Sequence, residues 1–372
     1  MKKAGFILLA FYLLITGCRQ AYGQEISDQL DMFDFQEINQ AMNEGLEQKI
    51  DIGELATQAI QGKLDLSPGN ILDSIVKTLF KELYSNGKLI GNLLVVGFLS
   101  ALLKNLTDSF KTKGAGEVGF YVCYIVLVML LFSSFQLAVD IGKNLISLLA
   151  KIMAASIPLL LGLLAFSGNV SGAYVLHPAL IFAVNGVTVI IRDVLFPLII
   201  FGAIIRLINN LSDKDMLARL ADFFKMAIGW ALKGLLFLFI TILSLQRISS
   251  PLLNQLTLKT AKFTIGSIPM VGDLLSGTMD TVLYWSLTIK NGVLVASIIG
   301  LIMVCGLPLF KLAAIFICFK ITAGLLQPIC DERMIKAIDG VGDFAALLLW
   351  ATITVAAMFL FAFMIVLSFR GG

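Results

Sequence analysis

Side chains that could do chemistry are few in this sequence. There is one histidine, His177, and the five cysteines include no CxxC pair; three of them, Cys123, Cys305 and Cys318, lie inside apolar segments. A zinc site needs clustered Cys, His or carboxylate ligands, so this inventory argues against a metal site. A catalytic nucleophile needs a base within reach, and no Ser–His or Cys–His pair can be built without His177. The sequence therefore predicts a protein that is not an enzyme, with no catalytic, cofactor-binding or metal-binding residues.

One glycine pattern invites a nucleotide-binding interpretation. Residues 114–119 read Gly-Ala-Gly-Glu-Val-Gly, which matches GxGxxG. In dinucleotide-binding proteins this motif follows a β-strand and opens the helix of a βαβ unit. Here it lies in a short segment between two apolar ones, so we interpret the match as a coincidence. There is no GxxxxGK[ST] phosphate loop, so an ATPase that energised this protein would be another chain.

Three lysines and the histidine lie within apolar segments. The lysines are Lys151, Lys233 and Lys320, and His177 precedes Pro178 near the start of another apolar run. Ionisable residues in membrane helices are functional candidates by default, for example as substrate or proton sites. The structural alternatives are snorkelling or pairing between helices for the lysines, and a packing role for a histidine with no acidic partner in its own helix. We favour the structural alternatives for all four.

Apolar residues are concentrated in long blocks with few charges. Hydrophobic residues make up 58% of the chain and charged residues 14%, against about 45–50% and about 25% in soluble domains. The blocks are roughly 16–25 residues long, about what a helix needs to cross a bilayer. They cover residues 89–103, 118–139, 145–166, 174–191, 194–208, 226–246, 292–310, 312–328 and 343–367. The sequence predicts an all-α, polytopic helical membrane protein with about seven to nine transmembrane helices.

Charges and prolines mark the expected helix ends. Residues 140–144 form a predicted outside turn, and Arg192-Asp193 a predicted turn at the membrane interface. Some helices are expected to be kinked or broken, because four prolines fall in or beside the blocks. These are Pro158, Pro178, Pro197 and Pro308.

Residues 1–23 have the three parts of a secretory signal peptide: a basic start, an apolar run, and a small and polar end. The sequence is compatible with two alternative processing sites. Residues 21–23 (Ala-Tyr-Gly) suit ordinary cleavage after Gly23, which we favour. Residues 15–18 (Ile-Thr-Gly-Cys) resemble a lipobox, in which Cys18 would be lipidated and become the N-terminus.

An acidic region follows the signal peptide. Residues 24–88 hold twelve acidic and five basic residues, a net charge of −7, whereas the chain after residue 88 carries +7. The loops 104–117 and 209–225 are rich in lysine and arginine, which is typical of cytoplasmic loops. We therefore predict that the acidic region is exported and helical, and that both loops are cytoplasmic. This distribution does not indicate a nucleic-acid partner.

Two segments are predicted to be amphipathic. Ser67-Pro68 is a plausible helix start, and the apolar face that follows it, with Lys77 and Lys81 nearby, suits a helix at the membrane surface or packed on other helices. Residues 248–291 are predicted to lie at the outer surface or to form a re-entrant hairpin. The predicted organisation is a signal peptide (1–23), an acidic extracytoplasmic helical region (24–88), a first membrane helix group (89–247), the amphipathic or re-entrant segment (248–291) and a second membrane helix group (292–372).

Several short strings, in their order along the chain, resemble the stage III sporulation protein AE family of endospore-forming bacteria. They are Asn86-Gly87-Lys88-Leu89, Ile157-Pro158-Leu159-Leu160-Leu161 running on to Ser167-Gly168, His177-Pro178, Thr260-Ala261-Lys262-Phe263, Asp280-Thr281-Val282, Lys290-Asn291 and Leu326-Gln327-Pro328. Each string alone is weak, and the specificity comes from their order, the signal peptide and the acidic region. The lipobox-like Cys18 departs from the family pattern.

The resemblance implies a role in sporulation. Such proteins lie in the mother-cell membrane around the engulfed forespore, in an eight-protein complex that resembles secretion systems. The implied partners are the other stage III A proteins, including a separate ATPase, and a forespore membrane protein across the intermembrane space. The implied function is that of a channel-complex subunit, required after engulfment and for late forespore sigma-factor activity. A stand-alone secondary transporter, with Lys151 and His177 as its sites, and a scaffolding anchor are the alternatives.

Overall fold

The computed structural model describes residues 30, 33–44, 49–63, 68–110, 113–167, 170–211, 217–266 and 271–368, and the side chains of all of these except positions 68, 70–72, 104–110, 113–117, 170–172, 175, 246–266 and 271–283. The helices are α1 (Gln36–Asn43), α2 (Ile52–Ile60), α3 (Pro68–Ser85), α4 (Gly87–Phe110), α5 (Lys113–Phe166), α6 (Val170–Val189), a π-helical segment (Ile190–Leu195), α7 (Phe196–Asn209), α8 (Ala218–Gly266), α9 (Val271–Leu326) and α10 (Glu332–Ser368). The all-α prediction is confirmed. The predicted signal peptide, Cys18 included, lies outside the described residues.

The described part of the chain has fewer membrane-length helices than the seven to nine predicted. Five helices are long and apolar enough to cross a membrane, or six if α3 and α4, which meet at a 44° bend, count as one span. Three pairs of predicted blocks are joined, in α5, in α6 with α7, and in α9. The predicted turn at residues 140–144 is wrong. It rested on two charges, and charged side chains on the outer face of a helix do not interrupt its backbone hydrogen bonds.

A π-helical segment, and not a turn, lies at Arg192-Asp193. Pro197 lies at the start of α7 and has no N–H to donate to the carbonyl of Asp193, four residues earlier. The wider hydrogen bonding of Ile190–Leu195 keeps the chain helical through this point. The other three prolines lie inside α5, α6 and α9.

The acidic region contains a small helical hairpin, α1 and α2. Its second helix begins at Ile52, where the Asp51 side chain accepts hydrogen bonds from the backbone N–H of Gly53 at 2.8 Å and of Glu54 at 3.4 Å. The connection is closed by Asn43, whose side chain bonds both the N–H and the carbonyl of Ile50, at 2.7 and 3.0 Å. These hydrogen bonds hold α1 and α2 in a defined orientation relative to each other.

The hairpin of α1 and α2 packs on the bundle of long helices. The apolar side chains Met42, Ile52 and Ile60 are almost fully buried against α9. Two glycines of α9 permit this approach: a Cβ on Gly292 would collide with Ile60, and one on Gly300 would lie 2.7 Å from the sulfur of Met42. Around these glycines α9 is buried on nearly all sides, so it is the central helix of the bundle.

Much of the described exterior is apolar. On α8 the exposed large apolar side chains among the described ones are Leu220, Phe223, Met226, Trp230, Phe237, Leu238 and Leu245. A soluble protein rarely exposes a contiguous apolar surface of this size, whereas a membrane-spanning helix must do so. The helix predicted to begin at Pro68 does begin there, and it also exposes apolar side chains, Phe80 and Tyr84 among them. Segment 248–291 is helical on both sides of residues 267–270: its first part continues α8 and its second part begins α9.

Candidate functional site

Four charged side chains from three helices meet near one end of the bundle. Lys320 of α9 donates from Nζ to Asp339 Oδ1 at 2.6 Å and to Asp343 Oδ1 at 2.7 Å, both on α10. Lys225 of α8 donates to Asp343 Oδ2 at 2.7 Å. Two lysines and two aspartates balance one another, and their side chains are between 29% and 50% exposed. We call these four residues the Lys320 network.

Helix spacing and glycines place the network. Asp339 and Asp343 are one turn apart on α10 and therefore lie one above the other. Between them, Gly340 and Gly342 let α10 approach its neighbours: a Cβ on Gly340 would lie 2.5 Å from Cγ of Arg206, and one on Gly342 would lie 3.2 Å from a side chain of α9. Two adjacent carboxylates repel each other, and a lysine ammonium between them removes that repulsion.

Further contacts tie α5 and α7 to the same end of the bundle. The Tyr124 hydroxyl donates to the carbonyl of Leu207 at 2.7 Å. The guanidinium of Arg333, in the first turn of α10, lies 3.9 Å from the centre of the Phe120 ring, a cation–π contact. Near the other end of α5, Phe166 contacts Phe33 of the acidic region with ring centres 5.4 Å apart. Arg333 and Leu207 therefore contact one end of α5, and the acidic region contacts the other.

The remaining predicted residues lie apart from the network. Lys151 donates to Glu44 at the end of α1, at 2.7 Å. Lys233 lies 5.9 Å from the ring centre of Trp230, one turn earlier in α8. His177 is exposed on α6. Both Lys151 and Lys320 thus pair between segments of the chain, which was one of the two structural roles considered for them, and His177 is not brought near either.

The chemistry open to the network is limited. The described residues include no group of three or more His, Cys, Asp and Glu side chains placed to hold a metal ion. The GxGxxG string falls at the start of α5, after helix α4, so it does not have the strand-to-helix context of a dinucleotide site. Salt bridges between helices can hold the helices in place, and carboxylates in a membrane bundle can also take part in proton transfer.

Comparison with known proteins gives the family. The sequence profile of the stage III sporulation protein AE family matches residues 50–369. The chain belongs to this family. It is 30% identical over 311 residues to stage III sporulation protein AE of Bacillus subtilis (strain 168), a match that covers 83% of this chain and 78% of the relative. No solved structure matches the chain. The resemblance drawn from the short strings is confirmed, and the family assigns the chain to sporulation.

The family match includes the sites described above. It begins just before α2 and ends after α10, so the Lys320 network and the contact of α2 with α9 lie within it, whereas α1 and the predicted signal peptide precede it. Of the strings that carried the resemblance, Lys290-Asn291 lies beside Gly292 in the buried part of α9, and the string that begins at Asn86 forms the bend between α3 and α4.

Sequence reasoning missed the partners of Lys320 and the burial of Lys290. The predicted final block began at residue 343, so Asp339 and Asp343 were placed at its edge and were not considered as partners. Their four-residue spacing, with a glycine after Asp339, was the available signal. Lys290 belongs to the segment predicted to lie at the outer surface or to form a re-entrant hairpin, and its side chain is only 1% exposed inside the bundle.

Proposed function

We propose that this chain is a non-enzymatic, multi-pass subunit of a secretion-like channel complex in the mother-cell membrane around the forespore. In this proposal it is required after engulfment and for late forespore sigma-factor activity. Family membership supports the sporulation role, and the apolar helices support membrane insertion. The observation that carries the proposal is the hairpin of α1 and α2, which is held on the membrane helices at the end opposite the Lys320 network.

This arrangement suits a subunit that meets partners on the far side of a membrane. The hairpin is anchored through its apolar face, so its acidic side chains, including exposed Asp34, Glu37 and Asp51, point away from the bundle. A surface held in place in this way loses less conformational entropy on binding than a flexible tail. The proposed partners are the other stage III A proteins, including a separate ATPase, and a forespore membrane protein across the intermembrane space.

Affinity capture from sporulating cells tests this proposal. The tagged chain is expected to recover the other stage III A proteins, and its deletion is expected to arrest sporulation after engulfment. A variant with Asp34→Lys and Glu37→Lys is expected to lose partners, since both exposed carboxylates change sign. Lys63→Glu, also exposed on the acidic region, is the matched control. Capture of no stage III A protein by an intact, membrane-inserted chain would contradict the proposal.

The orientation is tested by thiol labelling at two exposed positions. Gln40→Cys lies on the hairpin, and Arg219→Cys lies near the connection between α7 and α8. The first is expected to react with a membrane-impermeant reagent added from the intermembrane side, and the second only after the cytoplasm is opened. Labelling of both positions from one side would contradict the predicted topology.

The Lys320 network favours one alternative, a stand-alone secondary transporter. Carboxylates between membrane helices can couple the movement of a solute to that of a proton. A transport assay on the purified chain, reconstituted in vesicles with a proton or sodium gradient, distinguishes a transporter from a channel subunit. We expect no solute accumulation; robust accumulation that is lost in Asp343→Asn would replace the channel-subunit proposal with the transporter.

A further inference from the structure

A line of polar side chains runs along the outside of α5. Its members recur every three or four residues and are Ser133, Gln136, Asp140, Lys143, Asn144 and Ser147. We call them the α5 polar stripe. Four are exposed, and Lys143 and Ser147 are half-buried. The stripe runs from residue 133 to residue 147, about 21 Å of helix, which is some two thirds of the hydrocarbon thickness of a bilayer.

The neighbouring π-helical segment extends this polar surface. Arg192 donates to Asp193 at 2.8 Å from Nε and at 3.0 Å from a terminal nitrogen, and the two side chains are 41% and 48% exposed. Lys143 lies close enough to interact electrostatically with Asp193. Asn185 is exposed about two turns earlier, on α6. Together the stripe and these residues form one surface with two acidic and two basic side chains.

Contacts within the bundle place the stripe at the level of an apolar part of α8. A Cβ on Gly142 would lie 3.3 Å from the methyl group of Thr352 on α10. Thr352 is nine residues beyond Asp343, about 13 Å along the helix. Lys225 of α8 pairs with Asp343 and therefore lies at the same level as that residue. About 13 Å further along α8, at the level of Thr352, the side chains of Trp230, Phe237 and Leu238 are exposed. At one level, therefore, α8 has an apolar exterior, whereas the exterior of α5 combines the polar stripe with the exposed Phe132 and Leu137.

Lipid does not suit this face of α5. Charged side chains at hydrocarbon depth are costly and normally face protein or water. Nearer the N-terminal end of α5 than the stripe, the same face of the helix is apolar, with Val118, Val122, Ile125 and Met129 exposed. The change from apolar to polar therefore occurs within the membrane part of one continuous helix.

We propose that the α5 polar stripe, with Arg192 and Asp193, is the contact between two copies of this chain. Two copies in one membrane have the same orientation, so a twofold axis between them runs along the membrane normal and brings residues of equal depth together. The surface carries equal numbers of acidic and basic groups at nearly one depth, so it is complementary to itself. Its Ser, Asn and Gln side chains are of the kind that hydrogen-bond between membrane helices.

Disulfide cross-linking of the chain made alone, in the absence of its sporulation partners, tests this proposal separately from the channel function. Gln136→Cys and Asn144→Cys are expected to form covalent dimers several-fold more abundantly than Trp230→Cys and Leu238→Cys, which are exposed on the apolar face of α8. The parent chain, with its native cysteines, is the blank. If the stripe cysteines form no dimer, the proposal is overturned. Labelling with thiol reagents then shows what covers the stripe. Reaction with a water-soluble reagent indicates that it faces water, and reaction only with a lipid-soluble reagent indicates that it faces lipid.

A charge exchange tests the complementarity itself. Asp140→Lys gives the surface an excess of positive charge and is expected to lower the dimeric fraction several-fold. The double variant Asp140→Lys, Lys143→Asp restores equal numbers of both signs at the same depth and is expected to recover dimers. A double variant as monomeric as the single one would overturn the pairing of charges across a twofold axis.

Discussion

The chain places charged side chains within its membrane helices in two different ways. In the Lys320 network the paired residues are far apart in sequence, 23 residues for Lys320 with Asp343 and 118 for Lys225 with Asp343. On the outer surface of α5 and the π-helical segment the bonds are local: Gln136 donates to Asp140 in the next turn, and Arg192 to its neighbour Asp193. The network joins helices of one chain, whereas the surface leaves its outward side free for a contact between chains.

This difference predicts opposite responses to mutation. Loss of a network residue leaves charge of one sign between helices that depend on its neutralisation. Loss of a surface residue leaves the monomer largely as it was and changes what the monomer binds. The comparison fails if both kinds of variant behave alike.

The largest effect is expected for Lys320→Glu, which brings three carboxylates together between α9 and α10. We expect a loss of stability on the order of 2 kcal/mol, below the value for a fully buried pair because the side chains are partly exposed. The measurement is thermal unfolding of the purified protein in detergent. Lys320→Arg keeps the charge and is the conservative control. Lys143→Glu, on the polar stripe, is expected to unfold at the same temperature as the parent protein. Equal losses of stability in Lys320→Glu and Lys143→Glu would show that the network and the stripe do not differ in this way.

An effect of similar size separates inward from outward positions on the long helices. Ala155 packs against the core from α5, so Ala155→Trp forces a large ring between helices and is expected to cost about 1–3 kcal/mol. His177 is exposed on α6, and His177→Ala is expected to leave sporulation nearly unchanged. Spore counts and membrane protein levels measure both. A sporulation defect in His177→Ala at normal protein level would instead indicate proton chemistry on the outer surface.

A modest effect is expected at the contact between Lys151 and Glu44. This pair is well exposed, so Glu44→Lys is expected to cost no more than about 1 kcal/mol. The exchange Glu44→Lys, Lys151→Glu restores opposite charges and is expected to recover most of that loss. Protease resistance of the hairpin, with the membrane bundle intact, is the measurement. Equal protease sensitivity of the single and double variants would show that this pair does not hold the hairpin.

The smallest effect concerns Cys330, in the connection between α9 and α10. Burial, and secondarily the charge of Asp331, raises the pKa of the Cys330 thiol above its usual value. A thiol with a raised pKa is protonated at neutral pH and reacts slowly with alkylating reagents, and the rate rises only as the pH approaches that pKa. Asp331→Asn removes the charge, so we expect a lower pKa and alkylation that begins at lower pH. An unchanged pH profile would leave burial as the sole cause.

Composition was sufficient to predict the class of this protein, and local pattern was sufficient for much of its helical structure. Length and apolarity predicted membrane helices, and the helix start at Pro68 follows from a proline at the first helical position. The joining of two blocks in α5 was not predicted, because Asp140 and Lys143 were interpreted as the ends of blocks. Their spacing also fits one face of a longer helix.

The Lys320 network was beyond sequence reasoning for a different reason. Which carboxylate meets Lys320 depends on which helices are neighbours, and no local pattern contains that information. The contact of α2 with α9 is similar: Gly292 is one of 32 glycines in the chain, and only the packed structure shows that Ile60 needs the space that it leaves.

The contact of the hairpin with α9 also determines when, during synthesis of the chain, the hairpin can complete its packing. Met42 packs against Gly300, so the apolar face of the hairpin must wait until roughly 250 more residues have been made. At about 5–20 residues per second this interval is roughly 12–50 s. Throughout it, Ile52 and Ile60 of α2 lack the contacts with α9 that bury them in the finished structure. Insertion of α9 is therefore the event that completes the fold of a segment synthesised long before it, and a chaperone that shields apolar surface has a defined interval in which to act.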